Sequence, residues 1–135
     1  MYVFNLSRLL CYNRVMKYKS ASEGHEIVKK DYSKKIIFSL NDFQEKGYLL
    51  QIVTIPPNTK QRMHSHNRQT EVFYILEGET VITINGQDYL AKPGDAFISS
   101  PGDVHNLWNK TDRPFKLVVF KINMPEEGDD TNWQE

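Results

Sequence analysis

The chain has 135 residues, with 17 basic and 17 acidic side chains, a formal net charge of zero and 39% hydrophobic residues. These values are typical of one globular domain that is long enough to bury its own core. They exclude a helical membrane protein, because the longest uninterrupted apolar run, Val72 to Leu76, is far shorter than the roughly 20 residues that cross a bilayer.

The zero net charge conceals two oppositely charged ends. Residues 1–35 carry eight Lys or Arg against three acids, whereas residues 123–135 carry five acids and no base. Residues 36–122 carry nine of each, so the central region has no basic footprint for nucleic acid. We therefore expect no nucleic-acid partner. The basic arm is interpreted as a solvated segment, with contact to an anionic partner as the alternative.

The N-terminal segment contains no secretory or disulfide signal. Cys11 is the single cysteine, so no intrachain disulfide can form, which favours a reducing compartment and predicts a cytoplasmic protein. The apolar run Leu9 to Tyr12 is shorter than the roughly seven residues that a signal peptide needs. Met16 is a second candidate start, and the sequence leaves open whether residues 1–15 belong to the native protein.

The chain divides into a basic N-terminal arm or lead-in at 1–34, a β domain at 35–124 and an acidic tail at 125–135. The β domain is rich in Val, Ile, Thr, Tyr and Phe and is interrupted by Gly, Pro and Asn turns. Asn85-Gly86 is the strongest hairpin signal, because a type I′ turn needs positive φ at both positions. The predicted strands are Lys35–Leu40, Tyr48–Ile55, Gln61–His66, Glu71–Leu76, Thr80–Asn85, Gln87–Ala91, Ala96–Ser99, Val104–Trp108 and Phe115–Ile122. Such short, regularly spaced strands predict a β-sandwich or barrel.

Three of the four histidines lie in this β region. His64 and His66 are two residues apart on one predicted strand, so both side chains leave the same face. A polar turn follows, and it resets the alternation of inward and outward side chains. The Glu71 carboxylate can therefore point into the same interior as the two histidines. His105 follows a Pro-Gly-Asp turn at the start of another strand. Three imidazoles and one carboxylate are a ligand set suited to Mn, Fe, Ni, Zn, Co or Cu.

These residues resemble the cupins, specifically small single-domain cupins of the conserved-barrel type, by two motifs in the right order. The first motif, G-x5-H-x-H-x(3,4)-E-x6-G, matches from Asn58 to Gly78, with Asn58 in place of the leading Gly. Asn is another residue that tolerates left-handed backbone. The second motif, G-x5-P-x-G-x2-H-x3-N, matches from Gly94 to Asn109, with Ser100 in place of the Pro. Both departures lie in turns, and all four ligand positions match.

The resemblance, which covers about residues 36–122, implies an all-β fold. That fold is an RmlC-like jelly-roll β-barrel, or double-stranded β-helix, with an irregular N-terminal arm and an acidic C-terminal tail. It implies a divalent transition metal held inside the barrel by His64, His66, Glu71 and His105. His25 has no such partners and is interpreted as an ordinary surface histidine. Asn109 is left open between a role behind the metal ligands and a turn cap.

The cupin fold does not by itself give the function. Cupins similar to this chain include dioxygenases, sugar-phosphate isomerases, oxalate-metabolising enzymes and non-catalytic sensors. Our first hypothesis is a metal-dependent dioxygenase, isomerase or decarboxylase that acts on a small oxygen-rich molecule, such as a carboxylate, a sugar derivative or an enolisable carbonyl. The alternative is a non-catalytic metal-dependent module that binds or senses a small ligand. A third hypothesis is an ion that only stabilises the barrel.

Arg62 is a candidate substrate-binding residue. It lies two residues before His64, so an unbroken strand would direct its guanidinium into the metal cavity, where it could anchor a carboxylate or phosphate. The alternative is that Arg62 marks a frayed strand start and extends into solvent. An anionic small-molecule ligand is expected under the first interpretation.

A homodimer is expected because small jelly rolls leave sheet edges and an apolar outer face that need cover. The candidate contact residues are Val72, Tyr74 and Leu76 together with the N-terminal Phe4, Leu6, Leu9 and Leu10.

Overall fold

The computed structural model describes residues 16–134, and almost all of their regular structure is β-strand. The strands in chain order are β1 (Ile27–Val28), β2 (Ser33–Phe38), β3 (Leu49–Ile55), β4 (Thr59–Lys60), β5 (His64–His66), β6 (Thr70–Glu77), β7 (Thr80–Ile84), β8 (Gln87–Ala91), β9 (Ala96–Ser99), β10 (His105–Asn109), β11 (Phe115–Ile122) and β12 (Thr131–Trp133). One 3-10 helix, Leu40–Asp42, precedes β3. The predicted all-β class is confirmed.

The strands form two antiparallel sheets. The first has the order β1-β2-β3-β11-β6-β9, and the second has the order β12-β5-β10-β7-β8, with β4 paired to β10. Non-consecutive strands are therefore neighbours in both sheets, as a jelly roll requires. The core between the sheets is apolar and includes Ile55, Ile75, Ile82, Phe115 and Leu117, each fully buried. Among residues 16–134 there is no helix long and apolar enough to cross a membrane.

Three backbone features agree with the sequence. Asn85 and Gly86 both have positive φ, at 50° and 80°, and join β7 to β8 as the predicted hairpin. Asn58 has a φ of 51°, so the asparagine that replaces the motif glycine does adopt the left-handed conformation. Gly78, with a φ of 80°, ends β6 where a Cβ atom would lie 2.7 Å from the Pro114 carbonyl oxygen. That close approach explains the motif glycine at position 78.

Three strands, β1, β4 and β12, were not predicted. Residues 27–28 and 131–133 lie in the segments interpreted as the arm and the tail, yet they form β1 and β12 at sheet edges. The predicted strand Gln61–His66 is shorter than expected, since only His64–His66 is extended and Thr59–Lys60 forms the separate strand β4. The chain between β4 and β5 is irregular, so strand alternation does not continue from His64 back to Arg62.

The inner face of β11 shows how the barrel interior changes from apolar to polar. Phe115, Leu117, Val119 and Lys121 all point inward, because alternate residues of this strand are buried. At the Lys121 end, the neighbouring residue across β6 is Glu71. One end of the interior is therefore a hydrocarbon core, and the other is lined by charged and polar side chains. The polar end is where a site can lie.

The homodimer stays a prediction, and the described part of its expected surface is apolar. Tyr74 and Leu76 are 49% and 45% exposed on β6, and Ile98 on the adjacent β9 is 61% exposed. The N-terminal candidates Phe4, Leu6, Leu9 and Leu10 lie outside the described residues. Sedimentation at micromolar concentration should give twice the mass of one chain. Tyr74→Glu places a charge on this apolar surface, so the variant should sediment with the mass of a single chain. A wild-type protein that sediments as a single chain would contradict the prediction.

Candidate metal centre

Four side chains from three strands converge at the polar end of the barrel. His64 and His66 come from β5, His105 from β10 and Glu71 from β6. They are between 2% and 6% exposed, and one potential ligand atom from each lies within 4.8 Å of all the others. The burial alternates along β5, with Ser65 between the histidines facing away. The predicted convergence of these four residues is confirmed.

Hydrogen bonds on the outer side of each imidazole hold it in place. His64 Nδ1 lies 3.0 Å from the Arg62 carbonyl oxygen, and His105 Nδ1 lies 3.0 Å from that of Asp103. Since a carbonyl can only accept, each Nδ1 carries the proton and donates it. The Nε2 atoms of these two histidines face the centre, where that of His105 lies 3.1 Å from Glu71 Oε2, and each neutral ring can offer the Nε2 lone pair to a metal ion. This is the arrangement by which proteins orient histidine ligands for metals.

His66 supplies a direct test of whether these residues fit a metal ion. Its Nδ1 lies 3.1 Å from the Thr131 hydroxyl, but its buried Nε2 has no hydrogen-bond partner among the described residues. That Nε2 lies 3.1 Å from Glu71 Oε2 without the alignment that a hydrogen bond needs. A buried nitrogen without a partner is costly unless something else occupies its lone pair. The donor set and this unpaired atom both fit a divalent transition-metal ion.

Glu71 is held as a carboxylate. Burial opposes its ionisation most strongly, but the imidazoles of His105 and His66 and the Lys121 ammonium outweigh burial and hold the pKa of Glu71 well below its ordinary value. The Lys121 nitrogen lies 3.3 Å from Glu71 Oε1, while Oε2 faces His66 and His105. One carboxylate oxygen is thus neutralised by the lysine, and the other is directed at the histidines.

The pKa of His64 predicts how stability depends on pH. Burial, followed by the neighbouring His105, lowers the pKa of His64 to about 4. Between pH 6.5 and 4 the unfolded chain binds a proton at this residue that the folded chain does not, so the folded state loses stability as the pH falls. In the presence of a chelator, we expect the free energy of unfolding to decrease over this range by about 3 kcal/mol at most.

Denaturant unfolding at several pH values checks this expectation. His64→Gln should flatten the dependence between pH 6.5 and 4, and the matched change of the exposed His25 to Gln should leave it unchanged. Glu71 acts in the same direction below pH 4.5, because its depressed pKa stabilises the folded state only while it is ionised. Stability that rose on acidification would contradict the assignment.

The C-terminal strand closes one side of the cavity above the histidines. β12 pairs with β5 in a register that sets Thr131 opposite His66 and Trp133 opposite His64. The Trp133 ring lies 4.7 Å from the His64 ring, centroid to centroid. Asp129, Thr131 and Trp133 all line the cavity. The segment interpreted as an acidic tail is therefore part of the site.

Comparison with known proteins places the fold in a family. The model of the cupin domain matches residues 51–121, which is more than half of the chain. The chain belongs to the cupin family. The cupin resemblance in the sequence is thereby confirmed, and the matched range contains all four converging residues.

This cupin is similar to proteins with different described activities. An oxalate-binding protein of Thermotoga maritima is 32% identical over 88 residues, which make up 64% of this chain and 73% of that protein. The crystal structure of a predicted oxalate decarboxylase from Thermotoga maritima has a TM-score of 0.69 at 25% identity, covering 79% of this chain and 98% of that one. A polyketide cyclase of Streptomyces resistomycificus has a TM-score of 0.70 at 19% identity, over 81% and 80% of the two chains, which shows a shared fold.

Arg62 does not line the cavity of this cupin, contrary to the expected direction of its side chain. Its Nε lies 3.2 Å from Asp31 Oδ2, and its guanidinium carbon lies 4.2 Å from the centre of the Trp133 ring. The irregular backbone before β5 breaks the alternation on which the expectation depended. Gln61 lines the cavity instead. Arg62 holds the cavity wall by bridging Asp31 and Trp133, so we do not propose it as a substrate anchor.

Two cavity lysines were missed by sequence reasoning. Lys34 on β2 and Lys121 on β11 both line the cavity. A signal for Lys121 was present, because the alternation of predicted strand Phe115–Ile122 assigns it to the same face as Phe115, Leu117 and Val119. No comparable signal was present for Lys34, because burial does not alternate between successive residues along β2.

Asn109 is a turn cap. Its amide nitrogen donates to the carbonyls of Ile55, Pro56 and Arg113 at 3.1, 3.1 and 2.7 Å. Its side-chain oxygen accepts from the backbone N–H and the hydroxyl of Thr111. These contacts lie at the far end of β10 from His105. Asn109 therefore caps a turn and does not support the metal ligands from behind.

Proposed function

We propose that this cupin holds one divalent transition-metal ion on His64, His66, Glu71 and His105 and uses it to act on a small carboxylate. The buried cluster of three imidazoles and one carboxylate carries the proposal. Each donor is oriented from behind, and the Nε2 atom of His66 has no hydrogen-bond partner in the described part of the chain. Mn, Fe, Ni, Zn, Co and Cu all accept this donor set. The bound ion would act as a Lewis acid toward an oxygen ligand.

The charge of the cavity favours an anionic ligand. The charged side chains that line it are Lys34, Lys121, Glu71 and Asp129, so the two cations and two anions cancel. A divalent ion then adds positive charge that no lining side chain compensates. A charge buried in this way is stabilised by an anion of opposite sign, and a carboxylate can also supply a metal ligand.

The size of the cavity favours a ligand of few heavy atoms. Its volume is about 50 Å³, room for about four water molecules at roughly 10–15 Å³ each. A two- or three-carbon acid is of the right order for such a space. The similarity to an oxalate-binding protein and to a predicted oxalate decarboxylase supports oxalate as the first ligand to test.

Oxalate decarboxylation is the reaction that we propose to test first. It converts hydrogen oxalate to formate and carbon dioxide, so it consumes no external reductant. The second candidate function is metal-dependent binding without turnover, which is favoured by the relative described as an oxalate-binding protein.

The experiment begins with protein purified without an affinity tag or added metal. Elemental analysis should find about one transition-metal ion per chain. Oxalate should then bind, and release of carbon dioxide with formate in equal amounts would establish decarboxylation. Binding without either product would favour the second candidate. A folded protein that takes up no transition-metal ion, even when Mn²⁺, Fe²⁺ or Zn²⁺ is supplied, would refute both.

A further inference from the structure

Lys34 is a cavity cation that has no partner among the described residues, 16–134. It lies on β2 opposite Val53 of β3, and both side chains line the cavity. Within residues 16–134, the Lys34 ammonium makes no ion pair or hydrogen bond. The second cavity lysine, Lys121, is already paired with Glu71. Lys34 is therefore the cation available to a ligand.

Two buried glutamines line the same cavity. Gln51 and Gln61 are 4% and 7% exposed, and neither side-chain amide makes a hydrogen bond to any described residue. Their amide atoms are not sealed off from the cavity, so they remain open to a hydrogen bond with a ligand. Gln51 lies on β3 two residues before Val53, the residue opposite Lys34, so Gln51 and Lys34 are diagonal neighbours on adjacent strands.

We infer that Lys34 and Gln51 form a subsite for the carboxylate of the ligand that is not bound to the metal ion. An ammonium and an amide N–H are both donors, and hydrogen bonds from a charged donor to a carboxylate are among the strongest in proteins. The ligand is then a small dicarboxylate, with one carboxylate on the ion and the other on this subsite. The inference rests on the proposed function, since that function supplies the first of these two contacts.

The electrostatics of the cavity agree with this subsite. Burial, followed by the neighbouring Lys121, lowers the pKa of Lys34, while Asp129 acts in the opposite direction. The cavity therefore holds a lysine whose charge its surroundings disfavour, and a bound carboxylate would stabilise that charge. Asp129 and Glu71 stabilise the charge only in part, since the pKa of Lys34 stays below its ordinary value.

The test compares oxalate binding to the Mn²⁺-loaded forms of four proteins by titration calorimetry. Lys34→Met removes the charge and keeps the length, and it should weaken oxalate binding by about tenfold to a hundredfold. Lys34→Arg keeps a cation of different shape, so it should lose less affinity for oxalate than Lys34→Met does. Lys35→Met is the matched control, because Lys35 is the next residue of the same strand and donates to the Ala21 carbonyl outside the cavity. It should bind oxalate as the wild type does.

Gln51→Met gives a second variant that adds no charge change. It should weaken oxalate binding severalfold, and Mn²⁺ content should stay at one ion per chain in every variant. If Lys34→Met binds oxalate as tightly as the wild type, or if Lys35→Met weakens it equally, the subsite is wrong and the proposed function stands. Loss of Mn²⁺ from Lys34→Met would assign Lys34 to the framework of the metal site and overturn the subsite. If the wild type binds neither Mn²⁺ nor oxalate, the proposed function fails, and the subsite fails with it.

Discussion

His64→Ala should lower the affinity for a divalent transition-metal ion by at least about a hundredfold. Loss of a partner behind a metal ligand typically costs ten- to a hundredfold, and loss of a ligand itself costs more. His64 is 5% exposed and is oriented by the Arg62 carbonyl, so no solvent-exposed side chain can readily replace it. Competition with a coloured chelator measures the affinity, and elemental analysis measures the stoichiometry.

A folding defect must be separated from the loss of a ligand. His64→Gln keeps a side chain of similar size and should show the same loss of affinity, while circular dichroism should show the β-rich spectrum of the wild type. His25→Ala is the matched control, because His25 is exposed and distant in sequence from the other three histidines. A folded His64→Ala protein that still held one ion per chain at unchanged affinity would rule out the proposed metal centre.

Asn109→Ala should destabilise the fold by about 3 kcal/mol or more while leaving the metal site intact. The change removes a fully buried amide that bonds the carbonyls of Ile55, Pro56 and Arg113 together with Thr111. The contact with the Ile55 carbonyl is buried, so that carbonyl loses a partner that water does not readily replace. Urea unfolding measures the effect, and elemental analysis of the folded protein measures the retained metal.

The control for this change is Asn41→Ala, which alters an exposed asparagine in the 3-10 helix and should shift stability by less than about 0.5 kcal/mol. Asn109→Asp should be at least as destabilising as Asn109→Ala, because it places carboxylate oxygens against carbonyl oxygens. A loss of bound metal with unchanged stability would instead place Asn109 behind the metal ligands, against the contacts described above.

Features that depend on neighbouring residues were predictable from the sequence. The parity of His64 and His66 on one strand determines that they share a face, and the structure confirms it. Asn85-Gly86 and Asn58 depend on single φ angles, which these residue types favour locally. Together with the two motifs, such local rules were sufficient for the fold class and for the four residues that converge.

Features that depend on which distant strands pair were decided by the tertiary structure. Lys34 and Gln51 enter the cavity because β2 pairs with β3 in one particular register, and nothing in either short segment specifies that register. Residues 131–133 form a cavity wall only because they pair with the edge of β5. Their polar and acidic composition did not indicate a strand. Arg62 turned toward Asp31 because the chain before β5 is irregular. Local conformational preference determines which face of its own strand a side chain occupies. Which residues that face contacts is determined by the free energy of strand pairing, and this depends on contacts between segments far apart in the chain.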